Sequence, residues 1–142
     1  MGAKDTLVFE SAKGHFKDKN YILASNKLEN YLADFPNGIF ENDANYMIAE
    51  SYFELKQENQ SIPYFEKVIE SPYGEWTEEA LYKTSAIYME KEEYQKAIGR
   101  FLLLVQKTEY DVYEKDALVG LMIAYSNLDL SLIHISEPTR PY

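Results

Sequence analysis

The groups in this sequence best placed to do chemistry are carboxylates: Asp and Glu number 24 against 14 Lys and Arg. Neighbouring acids, Glu78-Glu79 and Glu92-Glu93, could share a proton in general acid–base or glycoside chemistry. Both pairs fall in polar stretches that read as a helix start and a turn, where solvated acids serve as caps. Only two histidines are present, His15 and His134. A Ser–His–Asp relay would have to be built on His15 alone, and a packing role suits that residue better. Cysteine is absent, which excludes disulfides, thiolate zinc sites, iron–sulfur clusters and cysteine nucleophiles, and leaves the compartment open. The six glycines are scattered, so no phosphate-cradling loop forms. No calcium-loop spacing appears. The reading is a chain with no catalytic residue, no metal and no cofactor.

Charge narrows the partners. The formal net charge of −10 argues against nucleic acid and against anionic membrane surfaces, both of which need basic side chains. No apolar run approaches the ~20 residues of a membrane span, so no direct membrane insertion is expected. The N-terminus lacks the apolar core of a signal peptide. Gly2 and Thr6 fit a short myristoylation pattern, but a plain start is the stronger reading. Twenty Tyr and Phe residues (13 and 7) are too many for a disordered chain.

The elements that position these groups come from a repeat. Tyr52, Tyr88 and Tyr125 are spaced 36 and 37 residues apart, and a further step of 37 back from Tyr52 reaches His15. The words around them agree: Ala44-Asn45-Tyr46-Met47-Ile48-Ala49 with Tyr52, Ala80-Leu81-Tyr82-Lys83-Thr84-Ser85 with Tyr88, and Ala117 through Tyr125. A second word follows three of them. Ala24, Leu28 and Tyr31, then Ser61, Phe65 and Val68, then Ala97, Phe101 and Leu104 mark one helical face each. Each unit is therefore two helices of roughly 12–15 residues with a short polar turn between them. The turns fall at Asp18-Lys19-Asn20, Lys56 to Asn59, and Lys91-Glu92-Glu93. Asp18 or Asn20, Thr77 with Glu78 and Glu79, and Asp111 with Glu114 suit helix starts. Pro36-Asn37-Gly38 and Ser71-Pro72-Tyr73-Gly74 break the chain between units. Pro63 is expected in the first turn of its helix or close to it.

These words resemble the tetratricopeptide repeat. Its small position is filled by Ala12, Ala49 and Ser85 but by Met122 in the last unit. Its Tyr position holds His15, Tyr52, Tyr88 and Tyr125. Departures include Asn45 where Trp or Leu is usual, Ser11 and Thr84 where Leu is usual, and Tyr31 where a small residue is usual. The resemblance covers residues 5–128. It implies an all-α fold, a right-handed α-solenoid of antiparallel helix pairs with about three and a half repeats. The units are 5–41, 42–77, 78–114 and a truncated 115–128, within a solenoid spanning 1–129. The wording is most similar to bacterial cell-envelope repeat proteins, such as the outer-membrane assembly lipoprotein and the Tol–Pal coordinator, and to large Bacteroidetes repeat proteins. That likeness favours the periplasm or cell envelope without excluding the cytoplasm.

The last 13 residues, 130–142, do not continue the pattern. From Leu130 through Arg140 they resemble the in-frame translation of a sequencing adapter. They read as a non-native tail, and the chain as a fragment of a longer protein. The expected consequence is an exposed apolar edge at Leu118, Leu121 and Met122, loosely covered by Leu132, Ile133 and Ile135, and open to self-association.

The resemblance places first helices on a concave face. The residues it would offer a protein or peptide partner are Phe9, Phe16, Tyr46, Glu50, Phe53, Tyr82, Met89, Val119 and Ile123. The aromatics form two ladders, Phe9–Tyr46–Tyr82 and Phe16–Phe53–Met89, edged by acids and by Lys13 and Lys17. Such rings either grip a partner or pack neighbouring helices together. The expected function is a non-enzymatic protein–protein interaction scaffold. A self-associating repeat segment without a peptide ligand is the alternative, and a carboxylate-based hydrolase a distant third.

Overall fold

The computed structural model describes residues 2–108 and 111–136. Among these residues the chain is all-α. Its helices are α1 (Gly2–Lys17), α2 (Tyr21–Asp34), α3 (Glu41–Glu54), α4 (Glu58–Glu70), α5 (Thr77–Glu90), α6 (Tyr94–Lys107) and α7 (Asp111–Ser136). The chain divides into two compact units, Met1–Ala80 and Leu81–Tyr142.

Three turns repeat one piece of backbone chemistry. The Asn20 N–H reaches the His15 carbonyl and the Lys19 N–H reaches that of Phe16, both at 2.9 Å. Gln57 with Tyr52 and Lys56 with Phe53 do the same, as do Glu93 with Tyr88 and Glu92 with Met89. This is the Schellman closure, which satisfies carbonyls that a helix end leaves orphaned. It needs a left-handed residue, and Lys19, Lys56 and Glu92 take φ of 62°, 63° and 59°. The repeat's Tyr position is thus the residue whose carbonyl closes the helix. The Asn20 side chain then accepts the Leu23 N–H at 3.5 Å and caps α2.

In the first unit, α1 packs on α2 and α3, α2 on α3, and α3 on α4. Ala12, Ala24 and Ala49 are buried and let the helices approach, while Phe9, Leu28, Ile48, Phe65 and Val68 fill the space between them. Burial of each such large side chain is worth about 1.5–3 kcal/mol. Two polar ties join distant elements. Tyr31, fully buried, donates to buried Asp5 and accepts the Phe40 N–H at 3.3 Å, linking α1, α2 and the entry to α3. Glu29 on α2 accepts from Tyr52 on α3 at 3.1 Å and from Tyr64 on α4 at 2.9 Å. The first tie explains why a tyrosine stands where the repeat usually has a small residue. It also explains Gly38, where a Cβ would come within 2.5 Å of the Tyr31 hydroxyl.

In the second unit α6 packs on α7. Ala117, Gly120, Leu121 and Ala124 of α7 are buried or nearly so. Gly120 is required there, because a Cβ would overlap the Phe101 ring.

Two elements differ from expectation. Pro63 lies in the second turn of α4, which begins at Glu58. Its ring nitrogen carries no N–H, so it cannot donate to the i−4 ladder of the helix. The register of Lys19, Lys56 and Glu92 reaches Asp129 in the fourth unit, yet α7 does not turn there and runs on to Ser136. The rest of the tail, residues 137–142, lies outside the described residues, as do the side chains of Leu132, Ile133 and Ile135.

Gly120→Ala should destabilise the chain by about 1–3 kcal/mol through overpacking. Gly99→Ala, on α6 with nothing near its absent Cβ, should stabilise it by about 0.5–1 kcal/mol. Urea unfolding midpoints of the two variants check both signs.

Candidate functional site

A recurring pair of rings organises the first helices. Phe9 of α1 stacks on Phe40, the residue before α3, with centroids 4.4 Å apart and planes 5° apart. Tyr46 of α3 stacks on Trp76, the residue before α5, at 4.3 Å and 7°. In the second unit Tyr82 of α5 meets Tyr113 near the start of α7 at 5.2 Å and 39°. Phe40, Trp76 and Tyr113 are themselves 36 and 37 residues apart, in the register of the repeat. Each ring of the first ladder is therefore matched by a ring at the end of its own repeat unit, where the chain enters the next first helix. Such stacking is worth about 0.5–1.5 kcal/mol beyond area burial. The second pair is pinned as well, since the Trp76 indole N–H donates to Asp43 at 2.6 Å.

Beside these stacks the first unit holds an open cavity of about 390 Å³. Phe9, Phe16, Phe40, Met47 and Trp76 give it apolar walls. Lys13 and Lys17, four residues apart and so on one face of α1, line it together with Glu10. Asp43 and Glu75 add acids from the α3 side and from the residue before Trp76. Cations and anions thus meet around one apolar floor.

The expected site residues are placed as follows. Phe9 and Phe16 are together in the cavity wall with Lys13 and Lys17. Phe9 is 2% exposed and Tyr46 is 6% exposed, so both rings are engaged chiefly in packing. Tyr46 lies against Trp76 and edge-on to Phe65, outside the cavity lining. Phe53 packs edge-on to Phe65 at 6.4 Å and stays half-exposed. Glu50 is half-exposed on α3. Burial, then the charges of Glu54 and Glu50, raise the pKa of Tyr21 at the start of α2. In the second unit Tyr82 and Met89 are half-buried, while Val119 and Ile123 are exposed on α7. Sequence reasoning overlooked Phe40, Met47, Trp76, Glu75 and Tyr113. The signal for three of them was present, as the same 36 and 37 spacing.

The acids weighed for catalysis are engaged elsewhere. Glu78 accepts from Tyr73, and Glu93 is paired with Lys96 at 3.0 Å and Lys91 at 3.4 Å. The hydrogen bond from Lys96 is the main cause that lowers the Glu93 pKa. Among the described residues no cluster of three His, Asp or Glu side chains could hold a metal ion. No helix among them is long and apolar enough to cross a membrane. His15 is half-exposed, and His134 lies where side chains are not described.

Residues 43–72 match the tetratricopeptide repeat. The matched stretch is α3 and α4 with the turn at Lys56, the pair that carries Tyr46, Phe53 and Phe65. It supports reading the chain as a tetratricopeptide-repeat protein, a class that typically mediates protein interactions. No curated protein matches the chain.

Two tyrosines of the first unit carry a pH prediction. Burial, then hydrogen bonding to Asp5, pushes Tyr31 up to about 12; burial, then hydrogen bonding to Glu29, pushes Tyr64 up to about 12. An unfolded tyrosine titrates near 10, so folding favours the protonated hydroxyls. Their contribution is complete below about pH 10 and is lost as pH rises toward 12. Urea unfolding from pH 8 to 12 should show falling stability above pH 10. Tyr31→Phe should flatten part of that fall, and an unchanged slope would count against the Asp5 tie.

Proposed function

We propose that the chain is a non-enzymatic protein–protein interaction scaffold whose cavity in the first unit receives a segment of a partner protein. The observation that carries this reading is the apolar floor of Phe16, Phe40, Met47 and Trp76 bordered by Lys13 and Lys17 on one side and by Asp43 and Glu75 on others. An apolar or aromatic side chain displaces water from such a floor, and the charged border orients its neighbours. The cavity suits one or two anchoring side chains of a helix or strand. Phe53 and Glu50 on α3 extend the surface toward α2. Met89 and Tyr82, with Val119 and Ile123, offer a second contact area in the second unit. The match to the tetratricopeptide repeat supports the class of function. The right-handed winding and a bacterial envelope setting belong to the proposal, supported by the resemblance of the repeat words.

A second reading gains from one observation. Phe9 and Tyr46 are almost wholly buried against Phe40 and Trp76, so the first ladder serves cohesion between repeats. Under that reading, stacking itself is the function and the cavity is incidental.

Trp76 is the chain's one tryptophan, so its emission reports on the cavity directly. Peptides selected from a displayed random library on the full chain should change Trp76 emission when they bind. Phe16→Ala and Lys13→Glu should each weaken them about tenfold or more, while Leu102→Ala on α6 should not. Absence of any enriched peptide, or binding indifferent to Phe16 and Lys13, would favour the stacking reading.

A further inference from the structure

α7 has two contrasting faces. One carries Ala117, Gly120, Leu121 and Ala124 and packs on α6. The other carries Leu118, Met122 and Tyr125, which are 46%, 71% and 46% exposed. In the register of the repeat these three positions correspond to Leu81, Ser85 and Tyr88, which are all buried. Met122 also replaces a small residue. Ala12, Ala49 and Ser85 are fully or nearly buried, as close helix packing requires, whereas Met122 projects as a ridge. Val119 and Ile123 lie beside that ridge and are about half exposed. A contiguous apolar stripe of this kind marks an interaction surface.

Charge says what covers it. Lys115, Met122 and Asp129 are seven residues apart, so they lie along one line of the helix, with Leu118 and Tyr125 between them. Lys115 and Asp129 are both exposed. The stripe thus has a cation at one end, an anion at the other and an apolar centre. Such a stripe is complementary to itself when reversed. An antiparallel second copy, with the two-fold axis beside Met122, sets Lys115 of each copy toward Asp129 of the other. A parallel copy would oppose like charges at both ends. An isologous interface repeats each favourable contact twice.

We propose that α7 is a homodimerisation helix, pairing antiparallel with α7 of a second copy of this chain about a two-fold axis at Met122. The pairing uses the face of α7 opposite α6, whose residues belong to the second unit, whereas the residues that line the proposed peptide cavity all belong to the first.

Sedimentation equilibrium of the full chain tests the association. A concentration-dependent monomer–dimer equilibrium is expected. Met122→Glu should weaken it about tenfold or more, with helicity by circular dichroism unchanged because the side chain is exposed. Lys115→Glu should weaken it, and Lys115→Glu combined with Asp129→Lys should restore it. The chain has no cysteine, so single cysteines report geometry cleanly. Met122→Cys should give a disulfide-linked dimer on mild oxidation, and Lys115→Cys should not. A strict monomer at all concentrations, a dimer unaffected by Met122→Glu, or efficient self-linking of Lys115→Cys would each overturn the proposal. Open-ended oligomers would overturn it as well, since a two-fold pairing closes.

Discussion

A helix pair of this size cannot bury its own apolar face, and the contact that solves this is a stack of two rings. Phe9 lies on Phe40 and Tyr46 lies on Trp76, each pair nearly parallel. The second ring of each pair stands at the entry to the next first helix. One interaction therefore does two jobs. It covers an aromatic ring that the helix pair would otherwise expose, and it fixes where the following helix begins. Tyr82 with Tyr113 repeats the arrangement within the second unit. The polar ties fit around the same junctions. Asp43 holds the Trp76 indole, and Tyr31 with Asp5 holds the Phe40 N–H.

The stacks also shape the surface available to partners. Phe40 and Trp76 close one side of the cavity in the first unit, with Phe9, Phe16 and Met47. A ring held flat by its neighbour loses little freedom when a ligand arrives, which favours binding. Packing against Phe40 and Trp76 is why Phe9 and Tyr46 are buried although their spacing places them on a ladder. Among the carboxylates, Asp5, Glu29, Asp43 and Glu78 accept from tyrosine or tryptophan side chains, and Glu93 is paired with Lys91 and Lys96.

Much of the fold was legible in the sequence, because helix pairing depends on local chemistry. The turns at Lys19, Lys56 and Glu92 lie in the polar stretches between apolar words, and the breaks at Pro36 to Gly38 and Ser71 to Gly74 fall between helices. The family match over residues 43–72 falls on the copy whose words agree best. What was less legible depends on partners distant in sequence. The 36- and 37-residue spacing of Phe40, Trp76 and Tyr113 was visible, but nothing in a periodicity says which ring meets which. Pro63, expected in the first turn of its helix or close to it, lies just past that turn in α4. Asn45 is another such case. Its side-chain oxygen is buried without a partner at a register position that later repeats fill with Leu81 and Leu118. The continuation of α7 past Asp129 has no counterpart in the earlier repeats.

The central claim is that the ladder rings are clasps between successive repeats, and a double-mutant cycle on Tyr46 and Trp76 tests it most directly. Tyr46→Leu, Trp76→Leu and the double variant would be compared by urea unfolding. The account predicts a favourable coupling of about 0.5–1.5 kcal/mol between the two rings. Strictly additive losses, with no coupling, would contradict it.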